Sequence, residues 1–335
     1  MDRVPLALIE RFWGCEMLIT SEHFKKIYKE NKVEVTCLVL IINNDCNADC
    51  RACIAQHVFK GSLCKEICEA YETCKHLRCC DHMASDEEFY ARLEEILQTV
   101  NSPIVDIIIT GGEPTISNRF VPTLEMIAKY NYPIKNLQLE TNGAMLADEA
   151  VIEAIKKYNV QIHLSRYGKT DEENQAEFRY KSYATSNEDI KGFAEIYGNQ
   201  LGISTVILKD HISSGKELLE MIEVSEKLGV HHHDFLEVMA DTTLETANPE
   251  MLAYYKEQLV TAEQLRKELK ELGVVETGAS MDESYGISYH DYNGVKFTIT
   301  YSKLDKQHKQ ETHNLFSRFL IMPSGEIGVN GIEKR

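Results

Sequence analysis

The hydrophobic pattern of the chain alternates between short apolar runs and longer segments in which apolar residues recur every three or four positions. The apolar runs have the length of strands and lie at residues 34–42, 104–110, 136–141, 160–165, 202–208 and 234–239. The periodic segments predict amphipathic helices near residues 86–99, 119–130, 148–158, 187–197 and 215–228. Short apolar strands separated by helices are typical of a parallel sheet covered by helices. Six strand–helix units are too few for a closed eight-unit barrel, so the pattern predicts an α/β fold with a partial (β/α)6 TIM-like barrel.

The pattern changes after residue 245. A long helix is predicted near residues 250–272, and alternating strands follow it. The dipeptide Asn293-Gly294 predicts a hairpin turn, and Pro323-Ser324-Gly325 suggests a second hairpin. We therefore expect an N-terminal helical segment at 1–33, a barrel at 34–245 with a Cys-rich insertion at 54–85, and a small C-terminal α+β extension at 246–335.

Charge and hydropathy limit the classes of partner. The chain has 36 basic and 53 acidic residues, which gives a net charge of −17. A polyanion would be repelled at long range, so we expect no nucleic-acid partner. No apolar run approaches the roughly 18–20 residues that span a bilayer, and residues 1–30 lack the layout of a signal peptide. These features predict a cytoplasmic protein without a membrane partner.

The ten cysteines all lie in the first 80 residues. They are Cys15, Cys37, Cys46, Cys50, Cys53, Cys64, Cys68, Cys74, Cys79 and Cys80. A large acidic chain without an export signal favours metal or redox chemistry over a disulfide framework. The strongest pattern is Cys46-x3-Cys50-x2-Cys53, directly after the first predicted strand. Three thiolates can hold three corners of an iron–sulfur cube and leave one iron open to a substrate, whereas a zinc site or plain buried thiols are the alternatives.

Polar residues follow the next three strands. Gly111 and Gly112 permit close backbone approach, Glu113 offers an acceptor suited to an α-amino group, and Pro114 stiffens the exit of the turn. The third strand ends in Glu140-Thr141-Asn142-Gly143, which suits ribose hydroxyls. The fourth ends in Ser165-Arg166, whose guanidinium can pair with a carboxylate in a bidentate manner. Because the carboxyl ends of parallel strands meet at one edge, these groups are expected near the cysteines.

The motifs CNADCRAC, TGGEP, ETNG and SRYG, in this order, resemble those of the radical S-adenosylmethionine (SAM) superfamily over roughly residues 34–245. The resemblance implies a [4Fe–4S] cluster whose open iron is chelated by SAM. An external electron then cleaves SAM to methionine and a 5′-deoxyadenosyl radical, which abstracts hydrogen from a substrate. It also implies an electron donor such as flavodoxin or ferredoxin.

The resemblance assigns roles residue by residue. Its iron ligands are Cys46, Cys50 and Cys53. Its SAM contacts are Gly111, Gly112, Glu113 and Pro114 for the amino group, Thr141 and Asn142 near the ribose, and Ser165 and Arg166 near the ribose or carboxylate. The family usually has an aromatic residue just before the third cysteine, where this chain has Ala52, so no residue is assigned to stack on adenine.

The C-terminal part is similar to the GTP cyclase of molybdenum-cofactor biosynthesis and its auxiliary-cluster relatives. The similar stretches lie at 234–239, 294–300 and 317–328. His313, Phe316 and Asn330 stand where that cyclase has cysteines for a second cluster, so we expect a shared scaffold without the GTP reaction.

Two questions stay open from the sequence. The first is whether the insertion cysteines Cys64, Cys68, Cys74, Cys79 and Cys80 are buried free thiols or hold a second metal or cluster between residues 64 and 80. The second is the substrate, and the sequence identifies no catalytic residue. A small metabolite is favoured over a ribosomally made peptide, because residues 1–33 look too short for a leader-binding domain. A non-catalytic zinc-binding or redox-sensing protein is the alternative from a different class.

Overall fold

The computed structural model describes residues 17–19, 25, 37–53, 84–100, 106–130, 134–238, 249–281, 285–302, 318–321 and 327–329. Its strands are β1 (Met17–Ile19), β2 (Cys37–Ile41), β3 (Asp106–Thr110), β4 (Asn136–Thr141), β5 (Gln161–Ser165), β6 (Leu201–Ile207), β7 (His233–Glu237), β8 (Val275–Met281), β9 (Tyr285–Tyr292), β10 (Val295–Ser302), β11 (Arg318–Ile321) and β12 (Ile327–Val329). Its α-helices are α1 (Asp86–Thr99), α2 (Phe120–Tyr130), α3 (Glu149–Tyr158), α4 (Asp171–Phe178), α5 (Asn187–Tyr197), α6 (Gly215–Lys227), α7 (Pro249–Gln258) and α8 (Ala262–Glu271).

The strands form one open sheet within the described part of the chain. Its order is β1-β12-β11-β2-β3-β4-β5-β6-β7-β10-β9-β8. Strands β2 to β7 are parallel and follow one another in sequence order. Two later strands extend this parallel sheet, because β11 pairs with β2 and β10 pairs with β7. The expected α/β fold with a partial, unclosed barrel is confirmed.

The core lies between the sheet and the helices. On β3, Ile107 and Ile109 are fully buried, whereas the residues that alternate with them are only half-buried. The buried face packs against helix residues such as Phe89 and Leu93 of α1. A strand places successive side chains on opposite faces, so one face of the barrel strands builds the core and the other stays available for ligands.

Two helical features differ from the sequence prediction. Helix α4 was not predicted, because its buried residues include Asn174 and Glu177 and form no apolar stripe. Its one local signal is a capping box, in which Thr170 and Glu173 satisfy each other's backbone N–H groups. The single helix expected near 250–272 is wrong, because the structure has α7 and α8, with the Thr261 hydroxyl capping the second.

The C-terminal hairpin prediction is confirmed at Asn293 and Gly294. These residues have φ angles of 54° and 88° and join β9 to its antiparallel partner β10. Strands β11 and β12 are also antiparallel, although Pro323, Ser324 and Gly325 lie outside the described residues. The three predicted segment boundaries stay predictions.

Several sequence predictions fall on residues that the structure does not describe. They concern the insertion cysteines Cys64, Cys68, Cys74, Cys79 and Cys80, most of the N-terminal segment 1–33, and the positions His313, Phe316 and Asn330. Within the segment 1–33, where helix was expected, residues Met17–Ile19 form strand β1. Among the described residues, no helix is long and apolar enough to cross a membrane.

Candidate active site

The three predicted iron ligands lie on the loop that follows β2, which we call the cysteine loop (residues 42–53). Cys50 is buried, and Cys46 and Cys53 are half-buried. Burial, together with the neighbouring sulfurs of Cys53 and Cys46, raises the pKa of the Cys50 thiol far above its ordinary value. A hydrogen bond with the Tyr167 side chain partly opposes this shift. The three sulfurs are therefore close enough to act on one another, and a bound metal ion would reverse the shift by favouring thiolates.

A segment at residues 177–181 holds the cysteine loop in place. Three backbone hydrogen bonds join the two: Asp49 N donates to Phe178 O at 2.9 Å, Arg51 N donates to Glu177 O at 3.1 Å, and Lys181 N donates to Asn47 O at 2.8 Å. These bonds run along the loop like one edge of a sheet, so they fix the direction in which the cysteines project.

Aromatic side chains surround the cysteine loop. The rings of Tyr167 and Tyr180 each lie 4.8 Å from the ring of Phe178, the first edge-on and the second stacked. From the other side, the Tyr255 hydroxyl of α7 donates to Ala52 O at 3.0 Å. The sequence analysis assigned no role to any of these four aromatic residues, although Tyr167 lies in the motif SRYG. Their only local signal is the pairing of aromatic residues at 178 and 180 and at 254 and 255, which does not indicate what they pack on.

The glycines after β3 pack directly against the cysteine loop. Gly112 N donates to Asn43 O at 2.9 Å, and Glu113 N donates to Asp45 O at 2.7 Å. A Cβ atom on Gly111 would lie 2.6 Å from Asn43 O, and one on Gly112 would overlap the backbone of Asp45. These glycines are therefore required for the contact between the two loops, whether or not a ligand also approaches them.

Glu113 links the ends of β3 and β4. Its side chain is 1 % exposed. Its Oε1 atom accepts from Thr115 N (3.0 Å), Thr115 Oγ1 (2.5 Å) and Thr141 Oγ1 (2.6 Å), and its Oε2 atom accepts from Asn142 N (2.7 Å). Burial raises the pKa of Glu113, and the four hydrogen bonds oppose that shift. Contact with the SAM amino group stays a prediction, while this internal link is a property of the fold. Pro114 begins the short 3-10 turn at Pro114–Ile116.

Asn142 connects β4 to the cysteine loop. Its side-chain amide donates to Asn47 Oδ1 at 2.7 Å and lies 3.7 Å from Cys46 Sγ, a hydrogen-bonding distance for sulfur. Its side-chain oxygen accepts from Ala144 N at 3.1 Å. The predicted ribose residues Thr141 and Asn142 thus lie beside a predicted iron ligand, and both side chains have partners within the protein.

Arg166 presents a buried guanidinium at the end of β5. The residue is 3 % exposed, and its Nη2 atom donates to Lys169 O at 3.3 Å and Asn187 Oδ1 at 2.5 Å. Within the described part of the chain, its Nε atom has no hydrogen-bond partner. Burial lowers the pKa of Arg166, and among the described residues no carboxylate forms an ion pair with it. A ligand carboxylate would satisfy this N–H group. Ser165, the preceding residue, is half-buried at the end of β5.

These residues fit the groups that the sequence resemblance implies. The cysteine loop supplies three mutually interacting thiols, and Arg166 supplies an unpartnered buried N–H group for a carboxylate. Within the described ranges, no three His, Cys, Asp or Glu side chains converge so as to hold a single metal ion. A cubane cluster makes a different demand, since each ligand binds a separate iron rather than one shared ion.

Comparison with known proteins gives one family match. The model of the Radical SAM superfamily matches residues 40–168. No curated protein sequence matches this chain.

Two solved structures are similar at low identity. Streptococcus suis SuiB, crystallised with S-adenosylmethionine, is 16 % identical with a TM-score of 0.42, over 70 % of this chain and 48 % of SuiB. This chain therefore spans about half the length of SuiB. The WlbA (WbpB) dehydrogenase of Thermus thermophilus, crystallised with NAD and alpha-ketoglutarate, is 10 % identical with a TM-score of 0.20, over 80 % of this chain and 73 % of that one.

The family match begins inside β2 and ends just beyond β5. It thus includes the cysteine loop, the glycine turn after β3 and the polar ends of β4 and β5. Residues 40–168 therefore carry a domain that matches the radical SAM superfamily.

Proposed function

We propose that the enzyme binds a [4Fe–4S] cluster through Cys46, Cys50 and Cys53 and cleaves SAM reductively in order to remove hydrogen from a small metabolite. When bound, the cluster and SAM together supply the electron and the hydrogen-abstracting radical. The observation that carries the proposal is the convergence of three interacting thiols on one loop inside the matched family region. The chain's own residues bind, orient and shield these groups.

Orientation of the cysteines depends on contacts from both sides of the loop. The segment at 177–181 bonds to the loop backbone on one side, and the glycine turn after β3 bonds to it on the other. Tyr167, Phe178 and Tyr255 pack with Ala48, Cys50 and Ala52 in one apolar cluster. Such packing excludes water from the loop, which strengthens charge interactions within it.

Recognition of SAM is assigned to the strand ends. Arg166 would bind the methionine carboxylate through its Nε atom, since this buried N–H group has no hydrogen-bond partner among the described residues. Glu113 has one carboxylate oxygen, Oε2, with a single protein donor, which leaves it capacity to accept from the amino group. Ser165 and Thr141 complete the set of groups proposed around the ribose.

The inner face of the barrel supports the proposed substrate class. Gln138, Gln161 and Ser204 are half-buried there, on the face opposite the apolar core. A polar interior supports a small polar metabolite over a ribosomal peptide. Because SAM cleavage consumes an external electron, we propose a flavodoxin or ferredoxin as donor. The net charge of −17 supports the absence of a nucleic-acid partner.

The test compares three anaerobically reconstituted proteins: wild type, the triple variant Cys46→Ala/Cys50→Ala/Cys53→Ala, and Cys37→Ala. Cys37 is the matched control, because it is a buried cysteine of β2 that lies outside the cysteine loop. With dithionite and SAM, wild type and Cys37→Ala should form 5′-deoxyadenosine and absorb broadly at about 400 nm. The triple variant should form none.

Continued formation of 5′-deoxyadenosine by the triple variant would show that the cluster assignment is wrong. Zinc in the wild-type protein, with no cluster absorbance and no SAM cleavage after reconstitution, would instead favour a zinc-binding protein.

A further inference from the structure

The inner face of the barrel carries a group of titratable side chains, and only Glu140 among them belongs to a motif of the proposed SAM site. We call this face, opposite the helix-packed core, the lumen. In closed (β/α)8 barrels the interior is usually filled by branched aliphatic side chains, whereas the sheet of this protein is open. Here the middle of the lumen contains Glu140 on β4, His163 on β5, Asp234 on β7 and Thr298 on β10, all half-buried. The departure from aliphatic packing indicates a site that binds a polar ligand.

These side chains lie on four strands and contact one another. The Nδ1 atom of His163 lies 3.4 Å from Glu140 Oε1 and 3.6 Å from Asp234 Oδ2. The Thr298 hydroxyl donates to Asp234 Oδ1 at 2.5 Å. His163 therefore lies between two carboxylates. One of them, Asp234, is also held by its hydrogen bond with Thr298 of the neighbouring strand β10.

Sheet register explains how the carboxylates reach the histidine. Glu140 is paired with His163 on adjacent strands, whereas Asp234 lies beyond β6. The β6 residue that is paired with His163 is Gly202, which has no side chain. The space above Gly202 lets His163 and Asp234 meet across the intervening strand.

The charge of the lumen is negative. Asp106 at the start of β3, Glu140 and Asp234 face it. Among the described residues, His232 lines the same cavity as Asp234, and the exposed Lys296 of β10 lines a neighbouring cavity. Asp106 accepts from Asn136 Nδ2 at 2.5 Å. Glu140 and Asp234 thus bring two negative charges to the middle of the lumen, and one partly shared imidazole is their common partner.

Hydrogen-bond acceptors also exceed donors at this point. A carboxylate offers about four lone-pair positions. Among the described residues, Glu140 has only the His163 ring as a polar partner, and Asp234 has that ring and the Thr298 hydroxyl. Although 34 % of the Glu140 side chain is exposed to the lumen, desolvation and the charge of Asp234 raise the pKa of its carboxyl group. A ligand that brings hydrogen-bond donors would occupy the spare acceptor positions. Its positive charge would also favour the charged form of the Glu140 carboxyl group.

Open space adjoins the carboxylates. A cavity of about 190 Å³, partly open to solvent, is lined by Gln138, Gln161, His163, Gly202 and Asp234, among other residues. It extends toward the amino ends of the strands, while the predicted SAM contacts lie at the carboxyl ends. Ser165 is two residues from His163 on the same face of β5, which is about 7 Å along a strand. A small molecule bound at His163 would therefore lie on the same face of β5 as Ser165, a predicted SAM contact.

We propose that Glu140, His163 and Asp234 form the substrate site of this enzyme and that they bind a protonated amino group of a small molecule. The assignment rests on the proposed radical SAM function, because only a ligand near the predicted SAM contacts would be positioned for hydrogen abstraction. The two carboxylates supply the negative charge that attracts the ammonium group. His163 lies between them and sets the distance that separates them.

The experiment measures binding without turnover, on the full-length reconstituted protein in the absence of reductant. Its probes are n-butylammonium, n-butanol and n-butyrate, which share one carbon chain and differ in charge. Affinities are measured by calorimetry for wild type, Glu140→Gln, Asp234→Asn and the control Glu153→Gln, whose side chain is exposed on α3. Circular dichroism checks that each variant is folded. If Asp234→Asn does not fold, Glu140→Gln alone decides the test, because the Glu140 side chain is partly exposed.

We expect n-butylammonium to bind wild type and Glu153→Gln equally, and each lumen variant at least tenfold more weakly, as the loss of a charge-assisted contact implies. Butanol and butyrate should not bind. The proposal is overturned by the absence of n-butylammonium binding, by equal binding of butanol or butyrate, or by ammonium binding that both lumen variants retain. A parallel assay of 5′-deoxyadenosine formation separates the two proposals: cleavage without amine binding refutes only the amine site, and amine binding without cleavage refutes only the radical SAM chemistry.

Discussion

Removal of the Glu113 carboxylate should weaken the fold as well as the SAM site. The substitution Glu113→Ala leaves four donors without their acceptor: the backbone N–H groups of Thr115 and Asn142 and the hydroxyls of Thr115 and Thr141. A hydroxyl can rotate toward another acceptor. The two N–H groups cannot, because one lies in the 3-10 turn and the other is fixed at the end of β4.

The magnitude follows from these two N–H groups. A buried donor left unsatisfied costs about 1–3 kcal/mol, so two of them cost about 2–6 kcal/mol. Burial of the charged carboxylate offsets part of this value, as its raised pKa indicates. We therefore expect the free energy of unfolding to fall by about 3 kcal/mol, a large fraction of the about 5–15 kcal/mol that is typical of folded domains.

Urea unfolding of the metal-free, reduced protein measures the effect, because metal loss then does not contribute. The variants compared are Glu113→Ala, Glu113→Gln and Glu153→Ala, the last an exposed helix position. The Gln variant should be intermediate, since its amide oxygen can keep the threonine donors while its NH₂ group faces the N–H of Asn142. Glu153→Ala should change stability by less than about 0.5 kcal/mol.

The pH dependence has a definite sign. Because the pKa of Glu113 is raised above its ordinary value of 4.5 in the folded state, the folded protein holds this proton more tightly than the unfolded chain. The stability of wild type relative to Glu113→Gln should therefore be greatest below pH 4.5 and fall as pH rises through the folded pKa. A Glu113→Ala protein with the urea midpoint and slope of wild type would refute the reasoning about the buried donors.

Three further outcomes are expected. Arg166→Lys should weaken SAM binding by roughly tenfold to a hundredfold in equilibrium dialysis, because an ammonium cannot reproduce the planar N–H geometry; unchanged affinity would argue against a carboxylate contact. Asn142→Leu should shift the cluster potential to more negative values in an EPR-monitored titration, because hydrogen bonds to cluster sulfurs favour the reduced state; an unchanged potential would contradict the contact with Cys46. Reconstituted wild type should hold about four irons per chain and the Cys46/Cys50/Cys53 triple Ala variant almost none, whereas about four irons retained by that variant would point to a second cluster in the insertion.

Local sequence signals determined most of the elements. The apolar runs and periodic segments predicted strands β2 to β7 and five of the barrel helices to within a few residues, because both signals depend on neighbours along the chain. Helix α4 was not predicted, because it buries Asn174 and Glu177 rather than an apolar stripe. The break between α7 and α8 was missed for a related reason. Leu252 and Tyr255 pack on the cysteine loop, whereas Leu265 and Leu269 pack on α6. Hydrophobic periodicity shows that these residues are buried but not which part of the protein each of them packs against.

The residues of the candidate site also divide into those that local motifs identify and those that only contacts through space identify. Cys46, Cys50 and Cys53 lie within eight positions of one another, and the residues after β3, β4 and β5 are recognisable as local motifs. Their partners are distant. Asn142 contacts a cysteine 96 positions away, and Tyr255 bonds to the backbone of a residue 203 positions away.

The sequence by itself therefore determined the elements, the cysteine loop and the polar strand ends. Only the tertiary structure decided that Glu113 is an internal link, that Arg166 keeps an unpartnered N–H group, and that His163 lies between two carboxylates. Each of these depends on which strands become neighbours and in what register. Periodicity and spacing describe positions along one chain, but hydrogen-bond partners and local charge depend on distances through space, which only the packed sheet determines.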